Sequence, residues 1–232
     1  MKYALTKTLA AIAGFCLIFG LLATVICFSS VSKEFYFSEY EKLGVAEDIG
    51  VSDEDLRAAT EGLLDYTVDK RDDMVTYVTL RGTYRPMFNE RETMHMYDVK
   101  NLYLSARTVG IICLIAGAVG LAAIFIFSKE KRGFFSGYLL GNIIFFAAVA
   151  VIAIYAAIDF YSFWTSFHLM FFTNDLWLLD PATDFMILMV PEQFFSDLVF
   201  KIIGIFAGIA AVLAAGSIVG LNIFKKKEKS VV

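Results

Sequence analysis

The sequence predicts an all-α membrane protein with four transmembrane helices. Of its 232 residues, 58% are hydrophobic, whereas a typical soluble domain is nearer to one half apolar. Four apolar stretches reach the roughly 20 residues that a helix needs to cross a bilayer. Basic residues also cluster beside alternate ends of these stretches. We therefore expect a single integral membrane domain over residues 1–232, with a mixed, mainly helical extracytoplasmic cap.

The four spans are predicted from the lengths of the apolar runs, at about 8–29, 107–127, 134–158 and 198–224. The first run follows a basic start, as a signal peptide would, but it is too long for a signal-peptide core and lacks a small-x-small cleavage site. The bulky Ile26 before Cys27 also differs from the small residue that precedes a lipoprotein's modified cysteine. We expect this segment to be retained as a helix.

The distribution of charge predicts the orientation of the spans. Basic residues occur before span one (Lys2 and Lys7), in the "SKEKR" between spans two and three, and in the "KKKEK" after span four. The positive-inside rule then places both termini in the cytoplasm, and the connections 30–106 and 159–197 outside. All three cysteines fall in apolar spans, so the external parts hold no disulfide and no cysteine nucleophile.

The first external connection is patterned as folded structure. Ser52, three residues before Asp55, is typical of a helix start. The stretch "MVTYVTLRG" predicts a short strand that ends at Gly82, and Pro86 predicts a break in regular structure after it. Asn89 with Glu92 predicts another helix start, and nothing interrupts that helix until the end of span two.

The second external connection predicts a re-entrant or interfacial aromatic segment. It is too apolar for a solvated loop, and it is interrupted by turn signals at Asn174-Asp175, Asp180-Pro181 and Pro191. Backbone that is not regular must be shielded from lipid, so we expect this segment to pack against protein. Trp164 and Trp177 suit the level of the lipid headgroups.

Two histidines are the best candidates for chemistry. The chain has no phosphate-binding glycine loop and no zinc-protease or serine-hydrolase motif. Its basic residues lie beside the spans, so we expect no nucleic-acid partner. His95 and His168 are its only histidines, and both are predicted at the outer boundary of the membrane. Either one alone is compatible with a structural role, but their shared layer favours a common site for proton transfer.

The polar residues near the histidines could have either a functional or a structural role. Asp98 could orient the imidazole of His95, or it could form an ordinary hydrogen bond on the helix surface. Arg91 could stabilise an oxyanion or bind a lipid phosphate. Zinc held by both histidines with Asp98 or Asp175 is conceivable, but the spacing carries no metal signature. We therefore expect no metal.

Three sequence blocks resemble the lipoprotein intramolecular transacylase (Lit) family: "FYFSEYEK", "FNERETMHMYDVKNLY" and "FHLMFFTNDLWLLDPATDFMILMVPEQFF". The resemblance implies an enzyme of the Gram-positive bacterial cytoplasmic membrane, with its active site on the extracytoplasmic side. Its substrate would be a diacylglyceryl-modified lipoprotein among membrane lipids. The sn-2 acyl chain would move to the cysteine's α-amino group, giving an N-acyl, S-monoacylglyceryl (lyso) lipoprotein.

We assign roles to individual residues as a hypothesis, with no cofactor, and with no acyl-enzyme because donor and acceptor are on one molecule. His95 and His168 would be the catalytic base and acid; His95 is preferred as the base because Asp98 could support its imidazolium, and the reverse order stays open. Residues that support them or bind substrate would be Arg91, Asp98, Asn174, Asp175 and Trp177.

Three alternatives remain open from the sequence. The first is a hydrolase or acyltransferase that acts on free phospholipid with the same histidines, either with or without a metal. The second is a non-enzymatic four-span assembly factor in which the histidines are structural. A transporter is less favoured, because the spans hold few charges. No oligomeric state is predicted.

Overall fold

The computed structural model describes residues 2–229 and is predominantly helical. Its elements, in chain order, are α1 (Tyr3–Ser29), α2 (Lys33–Leu43), α3 (Val45–Ile49), α4 (Asp53–Thr67), β1 (Tyr77–Leu80), β2 (Thr83–Pro86), α5 (Glu90–Phe127), α6 (Lys131–Ile158), α7 (Phe160–Phe171), α8 (Met186–Met189) and α9 (Glu192–Lys229). Among the described residues, four helices are long and apolar enough to cross a membrane, namely α1, α5, α6 and α9. The predicted fold class is confirmed.

The chain forms two compact units. The bundle unit contains residues up to Ile26, residues 107–164 and residues from Ile203 onward. The mixed unit contains residues 27–106 and 165–202. Both histidines and all the predicted supporting residues therefore belong to the mixed unit.

In the bundle unit, glycines let α1 pack closely against α5 and α6. A β-carbon added at Gly117 of α5 would collide with the backbone of α1 at Leu17, and one added at Gly137 of α6 would collide with the backbone at Lys7. Small residues at helix interfaces are typical of membrane bundles, because apolar lipid offers no hydrophobic drive for helices to associate. In this bundle, close packing of the helix backbones provides the attraction between the helices.

In the mixed unit, one core joins the two separate chain segments. Phe194 at the start of α9 is fully buried, and its ring contacts the rings of Phe35, Tyr36 and Tyr40 at centroid distances of 5.2, 4.8 and 5.9 Å. Aromatic pairs at such distances add to the free energy gained from burial alone. The segment after Pro191 is therefore held against α2, and α9 begins earlier than the predicted span at about 198.

Both predicted helix starts are confirmed. The hydroxyl of Ser52 accepts a hydrogen bond from the backbone N–H of Asp55 at 3.1 Å. The backbone N–H of Glu92 donates to Asn89 Oδ1 at 3.0 Å, and the N–H of Asn89 donates to Glu92 Oε2 at 2.8 Å. This reciprocal pair satisfies two backbone groups that a helix start otherwise leaves open. From there α5 continues without interruption to Phe127.

The stretch after the predicted strand forms a second strand that was not predicted, and this strand ends at Pro86, where a break in regular structure was predicted. β1 and β2 pair as an antiparallel hairpin in which Tyr77 lies opposite Pro86. The turn residues Arg81 and Gly82 both have positive φ, 48° and 82°, which matches the twist of a two-residue hairpin. Proline is tolerated because it occupies the last position of an edge strand.

The third span does not continue outward as one helix. α6 ends at Ile158, and Asp159 starts α7 by accepting hydrogen bonds from the N–H and the hydroxyl of Ser162, at 2.9 and 2.6 Å. An aspartate at this position caps a helix start. The break therefore has a local cause, and His168 lies on α7.

Candidate functional site

The two histidines meet in the mixed unit. His95 comes from the polar beginning of α5, before its apolar part, and His168 comes from α7. Their ring centroids are 6.5 Å apart with an angle of 33° between the planes. Both side chains are buried, with 9% and 5% of their surface exposed. Two chain segments that are distant in sequence thus build one imidazole pair.

Aromatic rings hold this pair in place. Phe172 contacts both imidazoles, with centroid distances of 5.5 Å to His95 and 5.6 Å to His168. The Trp177 ring stacks on His168 at 4.5 Å with a 24° angle. Trp177 is itself anchored, because its Nε1 donates a hydrogen bond to the carbonyl oxygen of Asn174 at 3.0 Å. The orientation of the rings is therefore set mainly by packing.

His95 lies in an environment that favours its neutral form. Burial is the main cause that lowers the pKa of His95 to about 4; the neighbouring His168 and Arg91 also lower it, and Asp98 partly opposes them. Its Nδ1 is buried and has no hydrogen-bond partner in the part of the chain that the structure describes. At neutral pH the imidazole is thus uncharged, which is the form that can accept a proton.

Asp98 does not orient His95 through a hydrogen bond. Its Oδ2 accepts a hydrogen bond from the side-chain amide of Asn174 at 2.8 Å. The influence of Asp98 on His95 is electrostatic, because its negative charge raises the pKa of the imidazole against the effect of burial. Asp98 and Asn174 also connect α5 to the turn that follows α7.

Arg91 is attached to the same turn. Its guanidinium donates a hydrogen bond to the backbone carbonyl of Asp175 and lies 3.7 Å from the Asp175 carboxylate. Asn174 Oδ1 accepts from the N–H of Leu176 at 3.1 Å, a local bond typical of asparagine in turns. The predicted turn role of Asn174 and Asp175 therefore has direct geometric support.

Two buried carboxylates next to this site were not predicted as functional. Glu92 is fully buried and accepts hydrogen bonds from the N–H groups of Asn89 and Met186 at 2.8 and 2.6 Å. Burial raises its pKa. Asp184 accepts from the side chain of Asn89 and from the N–H of Asp180, both at 2.7 Å. Together they fasten residues 180–186 to the start of α5.

A cavity of about 300 Å³ lies next to Phe172, whose ring also contacts both imidazoles. One wall is a face of α5, and the other is the chain that leaves α7; the lining residues are Asp98, Asn101, Leu102, Ser105, Phe171, Phe172, Thr173 and Asn174. Phe172 belongs both to this lining and to the packing around the imidazoles. Phe172 therefore connects the cavity to the histidine pair, although neither histidine is among the lining residues.

A metal site has no support from the side-chain arrangement. Among the residues that the structure describes, no group of three or more histidine, cysteine, aspartate or glutamate side chains is placed to hold a metal ion. The zinc alternative, with both histidines and Asp98 or Asp175, lacks the clustered ligands that such a site needs.

Solved structures share this fold. The membrane integral lipoprotein intramolecular transacylase Lit from Bacillus cereus is 21% identical over 100% of both chains, with a TM-score of 0.71. A variant of that protein with a histidine-to-arginine mutation is 20% identical over 98% of this chain and 95% of its own, with a TM-score of 0.71. A variant with a histidine-to-alanine mutation is 21% identical over 98% of this chain and 96% of its own, with a TM-score of 0.70. No curated protein sequence matches significantly.

The sequence of this chain also matches a known protein family. The model of the family described as lipoprotein intramolecular transacylase Lit matches residues 11–195, which is most of the chain. The resemblance inferred from the three sequence blocks is thereby confirmed. The chain belongs to the lipoprotein intramolecular transacylase (Lit) family, and it is a multi-pass membrane enzyme of the acyltransferase type.

Proposed function

We propose that this transacylase moves the sn-2 acyl chain of an S-diacylglyceryl-cysteine to the α-amino group of the same cysteine. The product is an N-acyl, S-monoacylglyceryl lipoprotein. We further propose that His95 and His168 perform the proton transfers. The observation that carries this proposal is the buried imidazole pair, with ring centroids 6.5 Å apart, beside a cavity.

The reaction needs two proton transfers and no covalent enzyme intermediate. The amine nitrogen attacks the sn-2 carbonyl carbon and loses a proton to a base. The bond between that carbon and the glyceryl oxygen then breaks, and the departing oxygen receives a proton from an acid. Because donor and acceptor are on one molecule, holding them in place supplies much of the rate acceleration. Two imidazoles within one site suit this exchange.

His95 is the better candidate for the base. Its imidazole is neutral near pH 7 because its pKa is held at about 4. When the imidazole accepts a proton, the nearby negative charge of Asp98 stabilises the imidazolium and partly offsets the effect of burial. His168 would then protonate the glyceryl oxygen. Arg91, which lies on α5 and is paired with Asp175 in the turn, would carry positive charge toward the tetrahedral oxyanion.

Exposed apolar side chains support a position of this site at the membrane surface. Leu169 and Met170 on α7 are 67% and 75% exposed, and Phe171 and Leu178 are also exposed. Such a patch is unfavourable in water but suits the boundary between lipid headgroups and acyl chains. Acyl chains of the substrate would reach the histidines from this side.

Topology is a separate part of the proposal. Both termini would lie in the cytoplasm and the mixed unit outside, as the basic residues predict. The native cysteines fall in the predicted spans or at the end of one, so single new cysteines can report on each side. Glu61→Cys should react with an impermeant thiol reagent in intact cells, whereas Glu130→Cys should react only after permeabilisation. The reverse pattern would contradict this orientation.

Mass spectrometry of a reporter lipoprotein tests the reaction. The enzyme is expressed in a host that leaves lipoproteins with a free α-amine, and the N-terminal lipopeptide is then fragmented. An unchanged total mass with one acyl chain moved from glycerol to nitrogen is the expected result. His95→Gln and His168→Gln should each abolish the transfer while the protein remains in the membrane.

Met94→Ala is a matched control, because Met94 precedes His95 on α5 but is half exposed. It should retain transfer. A lipopeptide that stays in the diacylglyceryl, free-amine form beside well-expressed enzyme would refute the proposed reaction and favour a hydrolase that acts on free phospholipid. Full transfer by both glutamine variants would refute the histidine mechanism alone.

A further inference from the structure

We propose that the cavity beside the histidines holds the α-ammonium group of the substrate cysteine, with the Asp98 carboxylate as its counter-ion. This inference rests on the proposed function and assigns one substrate group to one side chain. Asp98 lines the cavity and lies one helical turn after His95 on α5, so the two side chains share a helix face.

Asp98 has no cationic partner in the part of the chain that the structure describes. Its one hydrogen bond comes from the neutral amide of Asn174. The other aspartates nearby are different: Asp175 is paired with Arg91, and Asp69 lies 2.6 Å from Lys100 Nζ. A carboxylate held by an amide at one oxygen, in a partly enclosed cavity, keeps an oxygen available for a cation from outside the chain.

The remaining lining suits a small polar group close to acyl chains. Asn101 and Ser105 follow Asp98 at three and seven residues on α5, so they stand on the same face. Leu102 and Phe171 add apolar surface. A volume of about 300 Å³ is room for roughly ten water-sized groups, which accommodates an amino group with part of the glyceryl unit but not two acyl chains.

Charge recognition would also explain how the enzyme selects substrate and releases product. A lipoprotein whose signal peptide has been removed carries an α-ammonium group, with an ordinary pKa of about 8. Before that removal the same nitrogen is a neutral amide, and after acyl transfer it is a neutral amide again. Only the true substrate therefore presents a cation to Asp98, and the reaction itself removes the attraction.

The site also brings the amine to its base. The ammonium group must lose a proton before its nitrogen can attack the ester carbonyl. With the ammonium at Asp98, the neutral imidazole of His95 is one turn away to accept that proton and release it to solvent, before it accepts the second proton that the nitrogen loses on attack. The charge that then forms on His95 is stabilised by the same carboxylate, so Asp98 serves in binding and in proton transfer.

The test measures binding without turnover. The probes are two synthetic S-glyceryl-cysteinyl peptides with ether-linked chains, which cannot be transferred; one has a free α-amine and the other is N-acetylated. The purified enzyme in lipid nanodiscs should bind the free-amine probe more tightly, by about tenfold, the effect expected for a hydrogen-bonded charge pair. Asp98→Asn should bind both probes equally.

Two further variants separate this inference from the proposed reaction. Asp72→Asn removes an exposed carboxylate from the same unit and should keep the preference for the free amine. His95→Gln should lose acyl transfer but also keep the preference. A preference that survives in Asp98→Asn would overturn the inference, whereas absence of acyl transfer by the unaltered enzyme would overturn the proposed function instead.

A measurement on the unaltered enzyme covers the case in which Asp98→Asn does not fold. The preference for the free-amine probe should be large near neutral pH and should disappear as the pH rises past the amine's pKa, because the neutral amine no longer attracts a carboxylate. The affinity for the acetylated probe should stay the same over this pH range. A preference that persists at high pH would contradict recognition by charge.

Discussion

The low pKa of His95 allows a quantitative test of the site. An ordinary histidine with a pKa of 6.5 would be only about one quarter neutral near pH 6. His95, with a pKa held at about 4 by burial and by His168, would be roughly 99% neutral under the same conditions. Acidification to about pH 5.5 should therefore leave the proposed base able to accept a proton.

The same difference predicts how stability depends on pH. Because the folded-state pKa lies below 6.5, the unfolded chain binds more protons between pH 6.5 and about 4. Stability from this group is fully present above pH 6.5 and is lost as the pH falls toward 4. At about 1.4 kcal/mol for each pKa unit, the loss reaches about 3 kcal/mol. His95→Gln, which does not titrate, should lack this part of the acid sensitivity.

Nuclear magnetic resonance can observe both titrations, because the chain has only two histidines. The enzyme is labelled with isotopic histidine, purified through a tag without histidine and placed in nanodiscs. One signal should titrate near 4. The variant His168→Gln leaves only the His95 signal, and the pKa of His95 should rise in this variant because a neighbouring positive charge is lost. Asp98→Asn should move it further down. If both signals titrated near 6.5, the reasoning on burial would be wrong.

Three further variants test other contacts. Trp177→Ala removes the ring stacked on His168 and should reduce acyl transfer about fivefold, measured by mass spectrometry, because such a stack is worth about 1 kcal/mol. Trp177→Phe should retain most of the activity. Gly137→Val should lower the melting temperature of the purified protein strongly, since overpacking costs about 1–3 kcal/mol. The control Gly204→Val should not lower it, because no heavy atom lies within 4 Å of a β-carbon placed at Gly204. Glu92→Ala leaves two buried backbone N–H groups without an acceptor and should cost about 2 kcal/mol in denaturant unfolding, with Glu92→Gln costing less.

Sequence reasoning succeeded where the cause is local. The spans follow from the length of contiguous apolar runs, and the starts of α4 and α5 follow from capping residues three positions apart. It failed at the hairpin, where the stretch just before Pro86 was not predicted as a second strand, because pairing with β1 decides whether that stretch is extended. The outward end of the third span at Ile158 also has a local cause, because Asp159 caps the next helix.

The candidate site divides in the same way. The sequence alone, through its two histidines and three family blocks, determined the fold class, the family and the residues to consider. Only the tertiary structure decided that Phe172 and Trp177 hold the imidazoles, that Asp98 bonds to Asn174, and that Asp184 anchors the nearby loop. Those contacts join α5 to the chain around and after α7. The pattern of residues within one segment does not determine which side chains of a distant segment will pack against it, so these contacts could not be predicted from the sequence.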